Sequence, residues 1–400
     1  MVTPSPGDSN DRMTPSSRAD VIVVGAGPAG AAAAYFLGQA GQRVVVLDKA
    51  SLPRYKACGG GVSPRMLEKY FPFSFEPVFD LHGRSISYAF GSEFVRVPVR
   101  PKDIRLVMRD RFDAFILSHA NAEVHTGAKV TRVQETETGV RVETADGSIY
   151  EGRYLIGADG ANSTVARELG LRRGRTMMGA IEAEARVPPD VLKRFSDGPV
   201  FIPGELAHGY LWIFPKSDHL SVGGGGLRLK AGELQATLKR VMARYGISLE
   251  GVPLHGHPIP VYMRPETIAT RRIFLVGDAA GLVDPFSGEG IRLAIKSSRL
   301  AANAILSGRP WQYPPQVFFQ ISLGHLFGWI VCWIFYNLQE IGFALVVPNP
   351  AVTRALMDML ADRENYLGAL LRALVTSVVF VPLQAVRLLI GLLAPRKAGG

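Results

Sequence analysis

Gly25, Gly27 and Gly30 fall within ten residues, Val-Ile-Val-Val-Gly-Ala-Gly-Pro-Ala-Gly at positions 21–30, with the spacing of a phosphate-binding turn. Each glycine meets a separate need. One makes the turn itself, one lets backbone approach a diphosphate unobstructed, and one allows close packing of a helix on the preceding strand. The N–H groups and partial positive charge at the start of that helix then meet the anion. Asp48 closes a second apolar run, 43–47, where its carboxylate would accept hydrogen bonds from an adenosine ribose. The spacing favours a bound dinucleotide over a bare strand–helix turn.

Further along, Cys58 precedes Gly59, Gly60 and Gly61, a backbone that a flat ligand can approach with no Cβ in the way. Arg54 and Lys56 beside it either face phosphates or are solvated loop charges. Cys58 by composition is more often a small buried hydrophobe than a reactive thiolate. Asp278 follows an apolar run at 272–276, placed to hold a polyol hydroxyl, and Gly288–Ile291 would aim N–H groups at an electron-rich carbonyl from a helix start. Tyr210, Trp212 and Phe214 alternate along one strand and share a face, either an apolar slot or an ordinary sheet core. The glycines at 223–226 lack the spacing of a second nucleotide turn.

The elements that must position these residues can be read from periodicity. Residues 20–50 form a strand–helix–strand unit, the helix kept thin at Ala34 and ended at Gly41. Alternation predicts strands over 81–99, 124–133, 140–144, 154–156, 181–186, 209–215, 220–227 and 272–276, and Asp146-Gly147 marks a hairpin. Helices are expected over 105–120, 164–169, 231–245 and from 291 to 306. Residues 1–19, rich in Pro, Ser, Asp and Asn, read as a disordered tail without the apolar run of a signal peptide.

Taken together these stretches resemble the geranylgeranyl reductase family of FAD-dependent oxidoreductases, within the p-hydroxybenzoate hydroxylase-like flavoproteins. The motifs run in order: the 25–41 fingerprint, Lys56-Ala57-Cys58-Gly59-Gly60-Gly61, Arg109-x-x-Phe112-Asp113, and 157–163. Then come Tyr210-Leu211-Trp212-Ile213-Phe214-Pro215-Lys216 and the 277–291 segment. The resemblance implies an α/β fold: a Rossmann-type FAD-binding domain, an inserted mixed β-sheet substrate domain and a C-terminal apolar helical region. The expected boundaries are 20–70, 105–170 and 265–310 for the FAD-binding domain, 71–104 and 171–264 for the sheet domain, and 311–400 for the helical region. It further implies that Gly25, Gly27, Ala29, Gly30, Asp48 and Lys49 serve the cofactor's adenosine diphosphate half. Cys58, Gly59 and Gly61 would lie by the isoalloxazine, and Arg109, the Val130 main chain, Asp278, Gly288, Gly290 and Ile291 would complete the contacts. Asp159 corresponds to an acidic position between flavin and nicotinamide entry. The implied reaction saturates C=C bonds in the prenyl chain of a lipid, quinone or pigment, with electrons from NADPH or ferredoxin. Cys58, Tyr210 and a bound water are the candidate proton donors, and Tyr210, Trp212 and Phe214 the candidate substrate wall. Reduced flavin would have to lie close to a poor hydride acceptor in a dry site.

The same fold hosts flavin monooxygenases and halogenases, but this chain has Gly281 where hydroxylases of the group carry a histidine, and Tyr210 and Phe214 where halogenases carry tryptophan and isoleucine. A non-catalytic prenyl carrier like the Rab escort proteins would not need the intact glycines, Asp48 and Asp278.

Composition bounds the partners. The 400 residues are 47% hydrophobic with net charge +10, mean hydropathy +0.13 and pI near 9.7, which favours an anionic partner. No Lys/Arg-rich helix interleaves aromatics, which argues against nucleic acid. Two cysteines, Cys58 and Cys332, suit a reducing, cytoplasmic compartment. Residues 318–338 and 370–393 are long and apolar enough to span a bilayer. Gln320, His325, Asn337, Pro382 and Arg387 interrupt them, so peripheral, monotopic attachment to a membrane surface, helped by Arg396 and Lys397, is the expectation. Nothing in the sequence fixes an oligomeric state.

Overall fold

The computed structural model describes residues 17–341, 343, 347, 349–372 and 374–376. Apolar β-branched runs with no polar alternation suit parallel strands covered on both faces, and the first two runs behave so. Strand Ser17–Val24 pairs in parallel with Val44–Asp48 on one side and with Ile149–Gly157 on the other. Glu123–Thr126 extends this sheet at one side, and Ile273–Leu275 pairs with the second half of Ile149–Gly157. The hairpin Val130–Glu135 and Val140–Thr144 pairs antiparallel with the first half of that strand. Helix Pro28–Gln39 begins with a proline, tolerated where the N–H has no acceptor. Its fully buried Ala31–Ala34 let it lie close to the sheet and against helix Ile291–Leu306.

A second, seven-stranded sheet runs in the order His255–Val261, Thr176–Ala185, Leu220–Gly226, Gly209–Pro215, Val200–Leu206, Ser85–Phe90, Glu93–Pro98. One face packs an aliphatic core against helices Pro189–Phe195 and Glu233–Arg244. The other face looks back toward the glycine turn. At the C-terminal end, the helical stretch Pro310–Asn337 and helices Pro350–Leu360 and Tyr366–Thr376 close the remaining side.

Several sequence expectations are corrected. The first strand starts at Ser17, inside the stretch read as a tail, because 17–19 find ladder partners at 150–152. Residues 105–120 are not one helix: Arg105–Val107 is a strand between Gly61–Val62 and Phe79–His82, and the helix is Arg109–Ser118. Gly127, at φ +74°, breaks 124–133 into two strands. The strand before Asp278 ends at Leu275, and Asp278 sits in the 3₁₀ turn Gly277–Ala280. Residues 377–400, with Pro382, Arg387, Arg396 and Lys397, lie outside the described residues.

Candidate functional site

One cavity of about 990 Å³ joins the glycine turn to the inner face of the second sheet and continues to the C-terminal helices. That volume is at the upper end of the roughly 300–1,000 Å³ of ligand sites. It is lined by every sequence-nominated residue except Gly30: Gly25, Gly27, Ala29, Asp48, Lys49, Cys58, Gly59, Gly61, Arg109, Val130, Asp159, Tyr210, Trp212, Phe214, Asp278, Gly288, Gly290 and Ile291. Residues spread over more than 260 positions of sequence thus meet at one void.

The three turn glycines divide their work. Gly25 adopts φ +102°, and a Cβ there would lie 2.4 Å from the Ala158 carbonyl oxygen. A Cβ on Gly30 would lie 1.7 Å from the Gly25 oxygen, so close packing at the helix start requires glycine there. Gly27 alone faces open space, with only Arg54 Nη2 within 3.4 Å of a Cβ. The other terminal nitrogen of Arg54, Nη1, is buried without a hydrogen-bond partner. A guanidinium with an orphaned donor over an open glycine turn suits a diphosphate. Asp48 uses its oxygens on the Ala26 N–H (2.6 Å) and the Ala50 N–H (2.8 Å), holding the turn at the cavity's edge.

Arg109 forks onto Asp113 with bonds of 2.8 and 2.9 Å. Burial opposes its charge, but the Asp113 carboxylate prevails and its pKa is raised. Arg54 Nη2 approaches the same carboxylate at 3.5 Å. Lys56 lines the void beside them, and burial, reinforced by Arg109, lowers its pKa to about 8. His257 is driven down to about 4 by burial and by the positive charges of Lys56, Arg109 and Arg54. This end of the cavity is electropositive and suits an anion.

Asp159 spends its carboxylate on its own loop. It accepts from Ser163 Oγ (2.5 Å) and from the N–H groups of Thr164 (2.6 Å) and Val165 (3.1 Å), capping helix Thr164–Glu168. Asp278 lines the cavity near the helix start, and a Cβ on Gly290 would come 3.3 Å from its Oδ1. At that helix start the Gly288 N–H is taken by Asp284 O (3.0 Å), the Glu289 N–H by Ser287 Oγ (3.3 Å) and the Arg292 N–H by Glu289 Oε1. Gly290 and Ile291 are left as the donors for a ligand carbonyl, since first-turn N–H groups have no acceptor within their helix.

The glycine tract after Cys58 has a reason the sequence reading did not supply. A Cβ on Gly59 would meet Phe214 at 2.6 Å, and one on Gly60 would meet the Val107 oxygen at 2.1 Å. The tract is small because the aromatic strand and its neighbour press on it. Lys216, 2% exposed, donates to Gly59 O (2.8 Å) and Val107 O (2.9 Å) and fixes the loop from behind.

Directly opposed residues in paired strands share a face, and two rows cross the cavity side of the second sheet. The first reads His255, Glu182, Gly223, Trp212, Phe201; the second His257, Ala180, Gly225, Tyr210, Pro203. Tyr210, Trp212 and Phe214 do line one face, with Phe201 edge-on to Tyr210 and Phe214 at 5.7 and 5.3 Å. Tyr210 is not free to give its proton: its hydroxyl donates to the Ser287 carbonyl, and burial pushes its pKa up. Cys58 is half-buried at the cavity wall and its Sγ accepts from the Gly60 N–H at 3.4 Å.

Sequence reading missed Glu182, Tyr55, His255 and His257 as cavity residues. The usable signal was Glu182 itself, an acid at the same parity as Met178 and Ala180 of its strand.

These residues fit FAD: an open glycine turn under a guanidinium with one unpartnered nitrogen, a carboxylate at Asp278, and free donors at Gly290 and Ile291. Comparison with known proteins agrees. Residues 18–307 match the FAD binding domain family. The menaquinone reductase of Mycolicibacterium smegmatis is 33% identical over 74% of this chain and 79% of its own. The chloroplastic geranylgeranyl diphosphate reductase of Oryza sativa subsp. japonica is 30% identical over 75% and 69%. The crystal structure of a geranylgeranyl bacteriochlorophyll reductase-like protein from Thermoplasma acidophilum superposes with a TM-score of 0.72 at 21% identity, covering 93% of this chain and 98% of that one. The chain is an FAD-dependent oxidoreductase and belongs to the geranylgeranyl reductase family.

Proposed function

We propose that the protein reduces C=C bonds in the prenyl chain of a membrane-borne lipid, quinone or pigment. The observation that carries this is the continuity of the cavity from the FAD trough onto the aromatic face of Tyr210, Trp212, Phe214 and Phe201, and on to Ile334, Leu356 and Leu374. Bound flavin supplies the hydride. The chain's own residues hold the diphosphate at Gly27 and Arg54, fix the Cys58–Gly61 loop through Lys216, and line the tail of the void with apolar side chains that exclude water. The electropositive end at Lys49, Arg54, Lys56 and Arg109 suits an NADPH donor, with ferredoxin the other arm of the test.

Entry from a membrane surface follows from the C-terminal helices. Ile334, Leu338 and Leu374 both line the cavity and are exposed on the outside. Pro310–Asn337 is long enough to cross a bilayer, with a mean hydropathy of 1.7 in its most apolar window. It is nevertheless tied down along its length, by His325 to Leu282 O, Trp329 Nε1 to Tyr262 O and Cys332 Sγ to Pro285 O. A helix fastened to the protein body on one face suits interfacial attachment, at the cytoplasmic side of a membrane, better than spanning.

The test is mass spectrometry of the host's lipids, quinones and pigments with and without the gene. Loss of prenyl species heavier by two hydrogens in the deletion is expected; unchanged profiles overturn the assignment. With purified enzyme, flavin reduction by NADPH or by reduced ferredoxin decides the donor.

A further inference from the structure

We propose that Glu182 delivers the proton of the reduction to the prenyl carbon and is recharged from solvent through Tyr55; this rests on the reductase reading above. Among the described residues lining the sheet side of the cavity, Glu182 is the one carboxylic acid. It stands in the same cross-strand row as Trp212, separated from it only by Gly223, whose missing side chain lets the indole lie across the gap. The acid therefore borders the wall against which an alkene would lie.

Glu182 is 3% exposed and both its oxygens carry a hydroxyl partner. Ser221 Oγ lies 2.8 Å from Oε1, and the Tyr55 hydroxyl bonds Oε2. Tyr55 belongs to the loop before the glycine tract, is 44% exposed, and packs against His255 with ring centroids 4.7 Å apart. A hydrogen bond thus links the partly exposed Tyr55 to a buried carboxyl in the cavity. The rival donor on this sheet, Tyr210, is committed to Ser287 O.

Burial raises the Glu182 pKa, and Glu184 of the same strand adds to the rise. Its hydrogen bonds to Tyr55 and Ser221 work in the opposite direction, as does His255 on the adjacent strand. Lys216, just past the aromatic strand, also interacts with Glu182. Desolvation is the largest of these effects, so the acid holds a proton above the usual carboxylate range.

The step balances. One alkene carbon receives a hydride, the two-electron loss of the reduced flavin, and the π pair takes the Glu182 proton at the other carbon. The carboxylate left behind regains a proton through the Tyr55 hydroxyl, which passes its proton on in the same step as it takes one from water, so that no tyrosinate forms.

The test uses flavin-loaded protein reduced anaerobically and mixed with geranylgeranyl diphosphate or menaquinone-4 in micelles, reading product mass. Glu182→Gln keeps the shape and is expected to bind flavin, yet to form product at least about 100-fold more slowly, the usual cost of losing a general acid. The wild-type rate should fall as pH rises through the Glu182 pKa, and the variant should lack that limb. Independently of turnover, infrared difference spectra of wild type against Glu182→Gln should show the carbonyl band of a protonated carboxylic acid that persists to higher pH than that of an ordinary glutamate. With dithionite present to re-reduce the flavin, Tyr55→Phe should slow repeated turnover more than the first turnover. Wild-type product rates in Glu182→Gln, or no protonated-acid band, overturn the proposal while leaving the reductase reading intact. A wild-type protein that adds two hydrogens to neither probe overturns both.

Discussion

A Cβ on Gly223 would lie 2.3 Å from Cζ2 of Trp212, so the shape of the aromatic wall is set from the neighbouring strand. The glycine run 223–226 is not a nucleotide turn but the space into which Trp212, Leu211 and Met178 lean from the strands on either side. Gly223→Ala should therefore keep flavin absorbance, cost about 1–3 kcal/mol through overpacking, and slow turnover of long prenyl chains more than short ones. Chemical unfolding and chain-length profiles check this, and equal loss on all lengths would remove Trp212 from the substrate wall.

The two turn glycines should separate. Gly27→Val points its branch into the void beside Arg54 and should give a folded protein with no flavin absorbance. Gly30→Val collides with the Gly25 carbonyl and should fail to accumulate as folded protein whether or not FAD is supplied. Comparing unfolding midpoints with flavin content for the pair tests the division of labour.

That contrast shows what the sequence makes legible. The strand–helix–strand unit and its dinucleotide function can be read at Gly25, Gly27 and Asp48 because turn chemistry is local. Glu182 and Arg54 could not be placed from sequence, since their significance depends on which strands and loops become neighbours. The 59–61 glycines read as an open approach for a flat ligand, but what requires them, Phe214 and the Val107 carbonyl, lies more than 45 residues further along the chain. Residues 105–107 read as helix because the strand is only three residues long and its partners, Gly61–Val62 and Phe79–His82, are remote in sequence.

Lys216 gives a pH signature. Burial lowers its pKa from 10.5 to about 8, so the folded state binds fewer protons than the unfolded state between those values. The cost of burying the charge is full below pH 8 and is relieved on going up to 10.5, so this group makes stability rise across that window. Lys216→Met should abolish that part of the rise, and at neutral pH it leaves Gly59 O and Val107 O without their donor, a loss of about 1–3 kcal/mol. Unfolding free energies of the two proteins at pH 7 and pH 10 check the sign.

Asp362 ties the C-terminal helices to the flavin-side helix. Its carboxylate, 3% exposed at the side chain, receives Lys296 (2.7 Å), Lys69 and Tyr70 (2.8 Å), with Arg292 at 3.5 Å. Burial alone would raise its pKa, but Lys296, Lys69 and Arg292 outweigh it and bring it to about 2. The stabilisation is present above pH 3.8 and lost as pH falls toward 2. Asp362→Asn leaves the largely buried Lys296 without its carboxylate and should cost about 3–5 kcal/mol, and the gap from wild type should narrow below pH 3.8 in urea unfolding curves.

Phe319, Ile330 and Trp333 project from Pro310–Asn337 on the side away from His325, Gly328 and Cys332, which pack inward; Phe319 and Trp333 are 69% and 66% exposed. Apolar side chains at this spacing, beside a cavity whose own lining reaches the surface at Ile334, Leu338 and Leu374, are suited to lie at the boundary of headgroups and acyl chains. Changing all three to Gln should leave flavin content and unfolding midpoint unchanged, because none supports the core. It should reduce co-sedimentation with anionic lipid vesicles and slow turnover of vesicle-borne substrate more than of the same substrate in micelles. Undiminished vesicle binding would move the attachment to another surface, and equal loss in vesicles and micelles would tie these side chains to the cavity and not to the membrane.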